Sequence, residues 1–346
     1  MRDVAELAGV GTMTVSRVLN RTARVAEETS RRVYEAIEKL QYKPNQVARA
    51  LRGSRSHTIG LLVPYLYDPF FATCAHAVNE VAQSHSHSVI LTTTNEDPAT
   101  ELEAVRQMAQ RQVDGLIVIP TERGGSALTG PEFRDLPIVT LDRPIPGSKF
   151  DSVQVENKDA GALATNHLIA HGHRRIAFIG LSKRLFTMRT RLAGYEMAMQ
   201  KAGLRPEAHF DCRPQETVTK LLSRLWKRRD RPTALFTANG LTTRYCLQGL
   251  AVLGIEIPKE MALIGFDDFE LSEVMRPPLT AVRQPVTELG KRAAELLFAR
   301  IRRAPGAETQ HRVVLPLELV LRGSCGCSEH AGISEASRLK ARSVLA

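Results

Sequence analysis

From Thr58 onward the chain alternates short apolar runs with amphipathic stretches, and this constrains the fold more than any other feature. Runs such as IGLLVP (59–64) and GLIVIP (115–120) are six residues long and bounded by turn residues. A run of that length reads as a strand buried on both faces. Strands are predicted at 58–64, 88–94, 115–120, 137–141, 175–180, 234–238, 261–265 and 279–284. Helices are predicted at 70–85, 99–111, 158–171, 190–202, 215–228, 241–253 and 286–303. Strands separated by helices form parallel sheets covered on both faces. This many strands exceed one comfortable sheet, so two subdomains are expected. A ligand would sit between them, at the carboxyl ends of the strands.

Residues 1–43 follow a different pattern, that of three short helices. Val4, Leu7 and Ala8 recur at helical spacing until Gly9-Val10-Gly11 breaks the pattern. Thr12 is expected to cap a second helix running to Asn20, with Val15, Val18 and Leu19 on one face. Glu27 to Leu40 reads as a third helix with Val33, Ile37 and Leu40 inward, and Pro44-Asn45 ends it. Two helices joined by a tight glycine-containing turn make a helix-turn-helix, whose second helix enters the major groove of DNA.

Charge supports that reading. The 346 residues carry a net charge of +10, and residues 1–56 hold 11 Lys and Arg against 6 Asp and Glu. A small basic head on a nearly balanced body suits a polyanion partner. No apolar run reaches the length of a membrane-spanning helix. The opening MRDVAELAG places charges where a signal peptide would be apolar, so a cytoplasmic protein with no membrane partner is expected. The five cysteines, at 74, 212, 246, 325 and 327, are too few and too scattered for a disulfide framework.

The run DVAELAGVGTMTVSRVLN (3–20) resembles the first two helices of the lactose-repressor/galactose-repressor family of transcription regulators. So do YKPNQVARAL (42–51), IGLLVP, DPFF (68–71), HLIAHGHRRIAFIG (167–180), RLAGYEMAM (191–199), IPKEMALIGFDD (257–268), PPLTAVRQP (277–285) and LPLELVLRGS (315–324). The resemblance spans nearly the whole chain in one order. It implies an all-α helix-turn-helix head, a hinge, and an α/β core like the periplasmic sugar-binding proteins, built of two doubly wound parallel-sheet subdomains. It implies homodimers or tetramers that bind palindromic operator DNA and respond to a small effector. The expected divisions are a head at 1–44, a hinge and linker at 45–56, a core at 57–325 and a tail at 326–346. Within the core, one subdomain takes about 57–156 and 285–312, the other about 157–284 and 313–325.

In a helix-turn-helix the first turn of the second helix meets base edges, which places Thr12 and Met13 at the groove and Arg17 one turn further. Arg17 matches the family's base-reading arginine. Arginine binds guanine in a bidentate way, and Thr or Met packs on a thymine methyl. The alternatives are a phosphate contact for Arg17 and simple packing for Met13. Thr14, Ser16 and Asn20 are placed for phosphates, which position without specifying. Gly11 stands where the family usually has Ser or Thr, so a cap or phosphate contact is expected to be missing, and Ala26 stands where the third helix usually begins with a Ser cap. Asn45, Ala48 and Leu51 match the family's hinge helix. Asn45 is its cap, Ala48 the close contact across a dimer axis, and Leu51 the wedge that enters the minor groove.

The resemblance carries an effector site onto Phe70, Phe71, Asp142, Thr187, Arg191, Asn239, Asp267 and Gln284. Carboxylates, amides and an arginine beside an aromatic wall form a hydroxyl-binding set, so a sugar or sugar derivative is expected. Relatives usually have Asn-Asp where this chain has Asn239-Gly240, and Cys212-Arg213 stands where some place an aromatic. A missing acid and an added arginine tilt the ligand toward a sugar acid or sugar phosphate.

Other chemistry finds little support. His85-x-His87 and His171-x-His173 have the look of metal pairs, but no Cys or carboxylate accompanies them at ligand spacing, and a lone Cys325-Gly326-Cys327 is weak, so no metal is expected. No dinucleotide-binding glycine loop, Walker loop or nucleophile elbow is present, so neither a cofactor nor an enzyme is expected. The alternative is a sugar-binding protein or cleft enzyme on the same core without DNA function, which the basic head argues against.

Overall fold

A computed structural model describes residues 1–20, 24–42, 56–122, 125–302 and 310–327, apart from the side chains of Asn20 and Ser126. The hinge residues Asn45, Ala48 and Leu51 lie outside these. The chain divides into two compact units, Met1–Ser56 and His57–Ala346.

The head packs α1 (Arg2–Leu7), α2 (Thr12–Asn20) and α3 (Glu27–Lys39) around Val4, Ala5, Ala8, Val15, Val18, Val33 and Ala36. These are small side chains, so the helices approach closely on little buried area. Gly9, at φ +61°, ends α1, with its own N–H donating to Glu6 and that of Val10 to Ala5. That pair of bonds requires a left-handed residue, which only glycine adopts freely. Three expectations need correction. Thr12 is the first helical residue and not the cap, because the Val15 N–H closes on the Gly11 carbonyl at 3.2 Å. Leu7 is 47% exposed, since the inward stripe of α1 runs through Val4, Ala5 and Ala8. Leu40 is 43% exposed because it caps α3 at its end, past the packed face. Ala26 precedes α3 without a side-chain cap, and Glu27 and Glu28 in the first turn face the positive helix end instead.

In the second unit, β1 (Thr58–Val63), β2 (Ser88–Thr93), β3 (Gly115–Val118), β4 (Ile138–Leu141), β5 (Asp151–Val155) and β11 (Arg312–Leu315) form one sheet, in the order β11-β5-β4-β3-β1-β2. All its pairs are parallel. The second sheet joins β6 (Ile176–Ile179), β7 (Glu207–His209), β8 (Ala234–Thr237), β9 (Ala262–Phe266), β10 (Thr280–Arg283) and β12 (Glu318–Val320), in the order β12-β10-β9-β8-β6-β7. Only β10–β12 is antiparallel. The helices of this unit are α4 (Pro69–Ser84), α5 (Pro98–Gln110), α6 (Asn157–Ala170), α7 (Phe186–Lys201), α8 (Gln215–Trp226), α9 (Gly240–Val252) and α10 (Val286–Arg302).

Each sheet with its helices is one subdomain, and the chain passes between them after Val155, after Arg283 and after Leu315. Because β11 pairs with β5, the last passage falls a little beyond the expected 312. Strand β5 went unpredicted because DSVQV buries polar side chains. Asp151 accepts two bonds from Arg300, at 2.6 and 2.7 Å, so its burial is compensated. Strands β7, β11 and β12 are only three or four residues long and carry little pattern. No described helix is long and apolar enough to cross a membrane.

Two glycines shape the second subdomain where it meets the cleft. A Cβ on Gly161 of α6 would sit 2.1 Å from the Arg191 carbonyl, and one on Gly194 of α7 would collide with the Lys158 carbonyl. The two helices therefore cross with backbones in contact, and Arg191 of α7 lies against Asn157 at the start of α6.

Candidate functional site

In the head, the outer face of α2 presents Thr12, Met13 and Arg17, all exposed, while Thr14 and Ser16 are half-buried. Met13 is 67% exposed, so simple packing does not account for it. Val15 and Val18, on the opposite face, anchor the helix in the head's core. This is a preformed convex surface with a long cation and a long apolar side chain projecting from it.

In the core, all eight side chains of the expected effector set line one cavity between the subdomains. They stand where strands end: Phe70 and Phe71 beyond β1, Asp142 after β4, Asn239 beyond β8, Asp267 after β9 and Gln284 after β10. Thr187 and Arg191 come from α7, one turn apart.

The two subdomains contribute matching acids. Asp142 has φ +66° and its N–H donates to Val153 of the neighbouring strand at 2.8 Å. Asp267 has φ +68° and its N–H donates to Val282 at 3.0 Å. Left-handed backbone at a residue other than glycine costs about 1–2 kcal/mol, and such positions gather at functional sites.

The charges are mostly committed. Asp267 accepts from Gln284 Nε2 at 2.6 Å and from the Gly240 N–H at 2.9 Å, at the positive end of α9. Asp142 lies 3.3 Å from Arg143 Nε, and Arg143 also meets Glu96 at 2.8 Å. Burial pushes the Asp142 carboxyl above its ordinary range, against the pull of Arg143 and Arg191. Asp68 caps α4 through the Phe70 N–H at 3.1 Å, and its carboxyl is raised by burial and then by Asp267.

Arg191 is different. It is 3% exposed, stacks 3.5 Å from the Phe266 ring centre, and donates to Asn157 Oδ1 at 2.7 Å and Ala238 O at 2.6 Å. These hydrogen-bond partners are neutral, and burial lowers its pKa to about 10 against the pull of Asp267 and Asp142. Asn239 spends its side-chain oxygen on capping α9 through Thr242, which leaves its amide nitrogen for the cavity. Gln284 Oε1 is buried and has no hydrogen-bond partner among the described residues.

Sequence reasoning did not name Tyr65, Asp68, Glu96 and Arg143 as site residues, yet they line the same cavity, and so does Arg213, the added arginine noted from the sequence. Asp68 was within reach as the acid of DPFF, since Asp before Pro is a helix-start signal. Glu96 and Arg143 gain meaning only by pairing across 47 residues.

The cavity encloses about 40 Å³, room for roughly two or three waters. A wider chamber of about 410 Å³ adjoins it, with Glu96, Leu181, Leu185 and Arg213 as shared walls. Contacts across the cleft hold it shut. Glu122 accepts from Ser182 at 2.9 Å and pairs with Arg184 at 3.3 Å, while Arg213 donates to the Tyr65 hydroxyl at 2.8 Å.

The histidine pairs weighed from sequence resolve differently from each other. His87 bonds Asp114 at 3.0 Å and His85 stacks on Phe298, so both are structural. His173 bonds Thr233 at 2.9 Å. The expectation that no cysteine accompanies these histidines is wrong for His171, because Cys327 Sγ lies 3.3 Å from its Nε2. The chain separation of 156 residues hides that proximity from a local reading of the sequence.

A helix-turn-helix unit followed by a two-subdomain parallel-sheet unit with a polar cleft defines the class of ligand-binding transcription regulators. Residues 1–45 match the model of bacterial regulatory proteins of the lacI family, and residues 165–325 match a periplasmic binding protein-like domain. Among curated proteins, the chain is 33% identical to the HTH-type transcriptional repressor PurR of Haemophilus influenzae (strain PittEE), over 94% of this chain and 98% of that protein. It is 34% identical to the PurR repressor of Aliivibrio salmonicida, over 87% and 92%. Among solved structures it resembles the lac repressor dimer bound to operator and the anti-inducer ONPF. That match has a TM-score of 0.81 and 26% identity, over 93% of this chain and 98% of that one. The complex of the regulator CelR with cellobiose matches at a TM-score of 0.68 and 30% identity, over 93% and 98%. The chain belongs to the lacI family and is a DNA-binding transcriptional regulator.

Proposed function

We propose that this regulator represses transcription as a homodimer on a pseudo-palindromic operator, and that a hydroxylated anion of the sugar-acid class occupies the core cavity and sets operator affinity. A head that reads only a few bases needs a second head on a two-fold site. Thr12, Met13 and Arg17 read bases, and Thr14, Ser16 and Asn20 hold phosphates. Asn45, Ala48 and Leu51 form the hinge contact with the minor groove.

One observation carries the effector class. Arg191 and Arg213 face the cavity with no direct ion pair to a carboxylate among the described residues, Asp142 and Asp267 acting on Arg191 only from a distance, whereas Arg143 is already paired with Glu96 and Asp142. A ligand carboxylate or phosphate supplies what the two guanidinium groups lack, and Arg is the side chain best shaped to bind it. Ligand hydroxyls then donate to Gln284 Oε1 and Asp142 and accept from Asn239. The closed cleft excludes water and strengthens each of these bonds.

A thermal-shift series tests the class. Sugar acids and sugar phosphates at 1 mM should raise the melting temperature, while the matching neutral sugars and nucleosides should not. Ligands that bind at 100 times their Kd add about 2.7 kcal/mol. A rise with neutral sugars or nucleosides alone would contradict an anionic effector and leave the DNA-binding assignment standing.

A further inference from the structure

A second cluster lies outside the effector cavity, where the last described segment of the chain folds against α6. His167 sits in the final turn of α6 and His171 caps that helix, four residues on. Residues four apart share a helix face, and the two rings lie with centres 4.5 Å apart. The C-terminal segment arrives through a short 3-10 turn, Gly323–Cys325, followed by Gly326 at φ +92°. That left-handed glycine reverses the chain between Cys325 and Cys327, bringing both sulfurs to the histidine face. Cys325 Sγ is 3.2 Å from Cys327 Sγ and 3.3 Å from His167 Nε2. Cys327 Sγ is 3.5 Å from His167 Nε2 and 3.3 Å from His171 Nε2.

We propose that His167, His171, Cys325 and Cys327 form a tetrahedral zinc site that ties the C-terminal segment to α6. Zinc with two sulfurs at about 2.3 Å and two nitrogens at about 2.0–2.1 Å needs donor-to-donor edges of roughly 3.4–3.8 Å. The three sulfur–nitrogen separations lie within a few tenths of an ångström of their edges and the sulfur–sulfur separation about half an ångström below its own; His167, His171 and Cys327 already stand together as three ligands, and Cys325 completes the set by a side-chain adjustment. Both cysteines are free thiols. On binding, each releases a proton, and two thiolates cancel the charge of the dication while the imidazoles stay neutral. No net charge is then left in a partly buried place. Thr280 Oγ1, 3.1 Å from Cys325 Sγ, is placed to donate to the thiolate, the kind of outer partner that structural zinc sites use. Four protein ligands leave no open position, so the site is structural and not catalytic. Sulfur and imidazole donors select a soft or borderline ion over magnesium or calcium.

The test uses the untagged full chain, purified under reducing conditions and dialysed against zinc chloride. We expect one zinc per chain by elemental analysis. Replacement by cobalt should give the thiolate charge-transfer band and the intense visible bands of a tetrahedral ion. Cys325 is fully buried and its loss risks misfolding, so the variants are Cys327→Ser and His171→Gln at the more open side. Each should weaken zinc binding by at least about 100-fold, beyond what loss of an outer partner costs, with an unchanged circular dichroism spectrum. Wild-type protein that retains less than a tenth of a zinc per chain would overturn the proposal. So would zinc binding as tight as wild type in both variants, or a Cys325–Cys327 disulfide found by mass spectrometry in protein purified under reducing conditions.

Discussion

The DNA-facing helix and the effector cavity place the same residue types in opposite settings. Arg17 stands exposed on α2, while Arg191 is 3% exposed and fixed by two hydrogen bonds and an aromatic ring. A surface that reads a duplex must leave its donors open, because the partner is large and its groove supplies the other half of each bond. A cavity that encloses a small molecule must hold its donors in advance, because a small ligand has little binding energy to spend on ordering them. Substitution in the head should therefore separate DNA binding from stability, and substitution in the cavity should couple ligand binding to stability.

The largest effect is expected at Arg191. Arg191→Ala removes charge-assisted bonds and leaves buried acceptors on Asn157 and Ala238, at a cost of about 2–3 kcal/mol in both unfolding free energy and effector affinity. Denaturant unfolding and effector titration measure the two. Loss of ligand binding at wild-type stability would break the comparison. At Arg17 the expectation is asymmetric. Arg17→Ala should cost about 1–3 kcal/mol of binding to a duplex selected from a random pool, and less than about 0.5 kcal/mol of stability. Equal losses on selected and random duplexes would make Arg17 a phosphate contact.

The smallest effect is at Asp68 and runs the other way. Its folded pKa is raised, so the native state favours the protonated form. Its contribution to stability is full below the ordinary value of 3.8 and is lost as pH rises through the folded pKa. Asp68→Asn keeps an equally good helix cap without the ionisation. The variant should melt higher than wild type at pH 7, with the difference shrinking as pH falls toward 3.8. A difference that grows on acidification would contradict the assigned direction.

How far the sequence speaks depends on the distance over which a residue acts. Every predicted strand is present, because a buried parallel strand is a local apolar run. The cavity residues Asp142, Asn239, Asp267 and Gln284 came from the family resemblance, and each stands just past such a run, at the strand end where α/β clefts form. Strand β5 was not legible, since its polar side chains are answered by Arg300 from a distant helix. Leu7 and Leu40 misled because the head is too small to bury every apolar residue of its helices. The His–Cys cluster depends on partners about 160 residues apart, and the tempting His171-x-His173 spacing pointed to the wrong neighbour.

On the proposed function, occupancy of the core cavity sets the affinity of the head for DNA. The most direct test measures affinity of the full chain for its selected operator, with and without the stabilising sugar acid, in wild type and in Arg191→Ala. Allosteric coupling of this kind is worth about 1–3 kcal/mol, so the acid should change wild-type operator affinity by roughly 5–150-fold. The variant should bind operator as wild type does without ligand and fail to respond when the acid is added. An acid that binds the wild-type core without altering operator affinity, or a shift of equal size in the variant, would contradict the account.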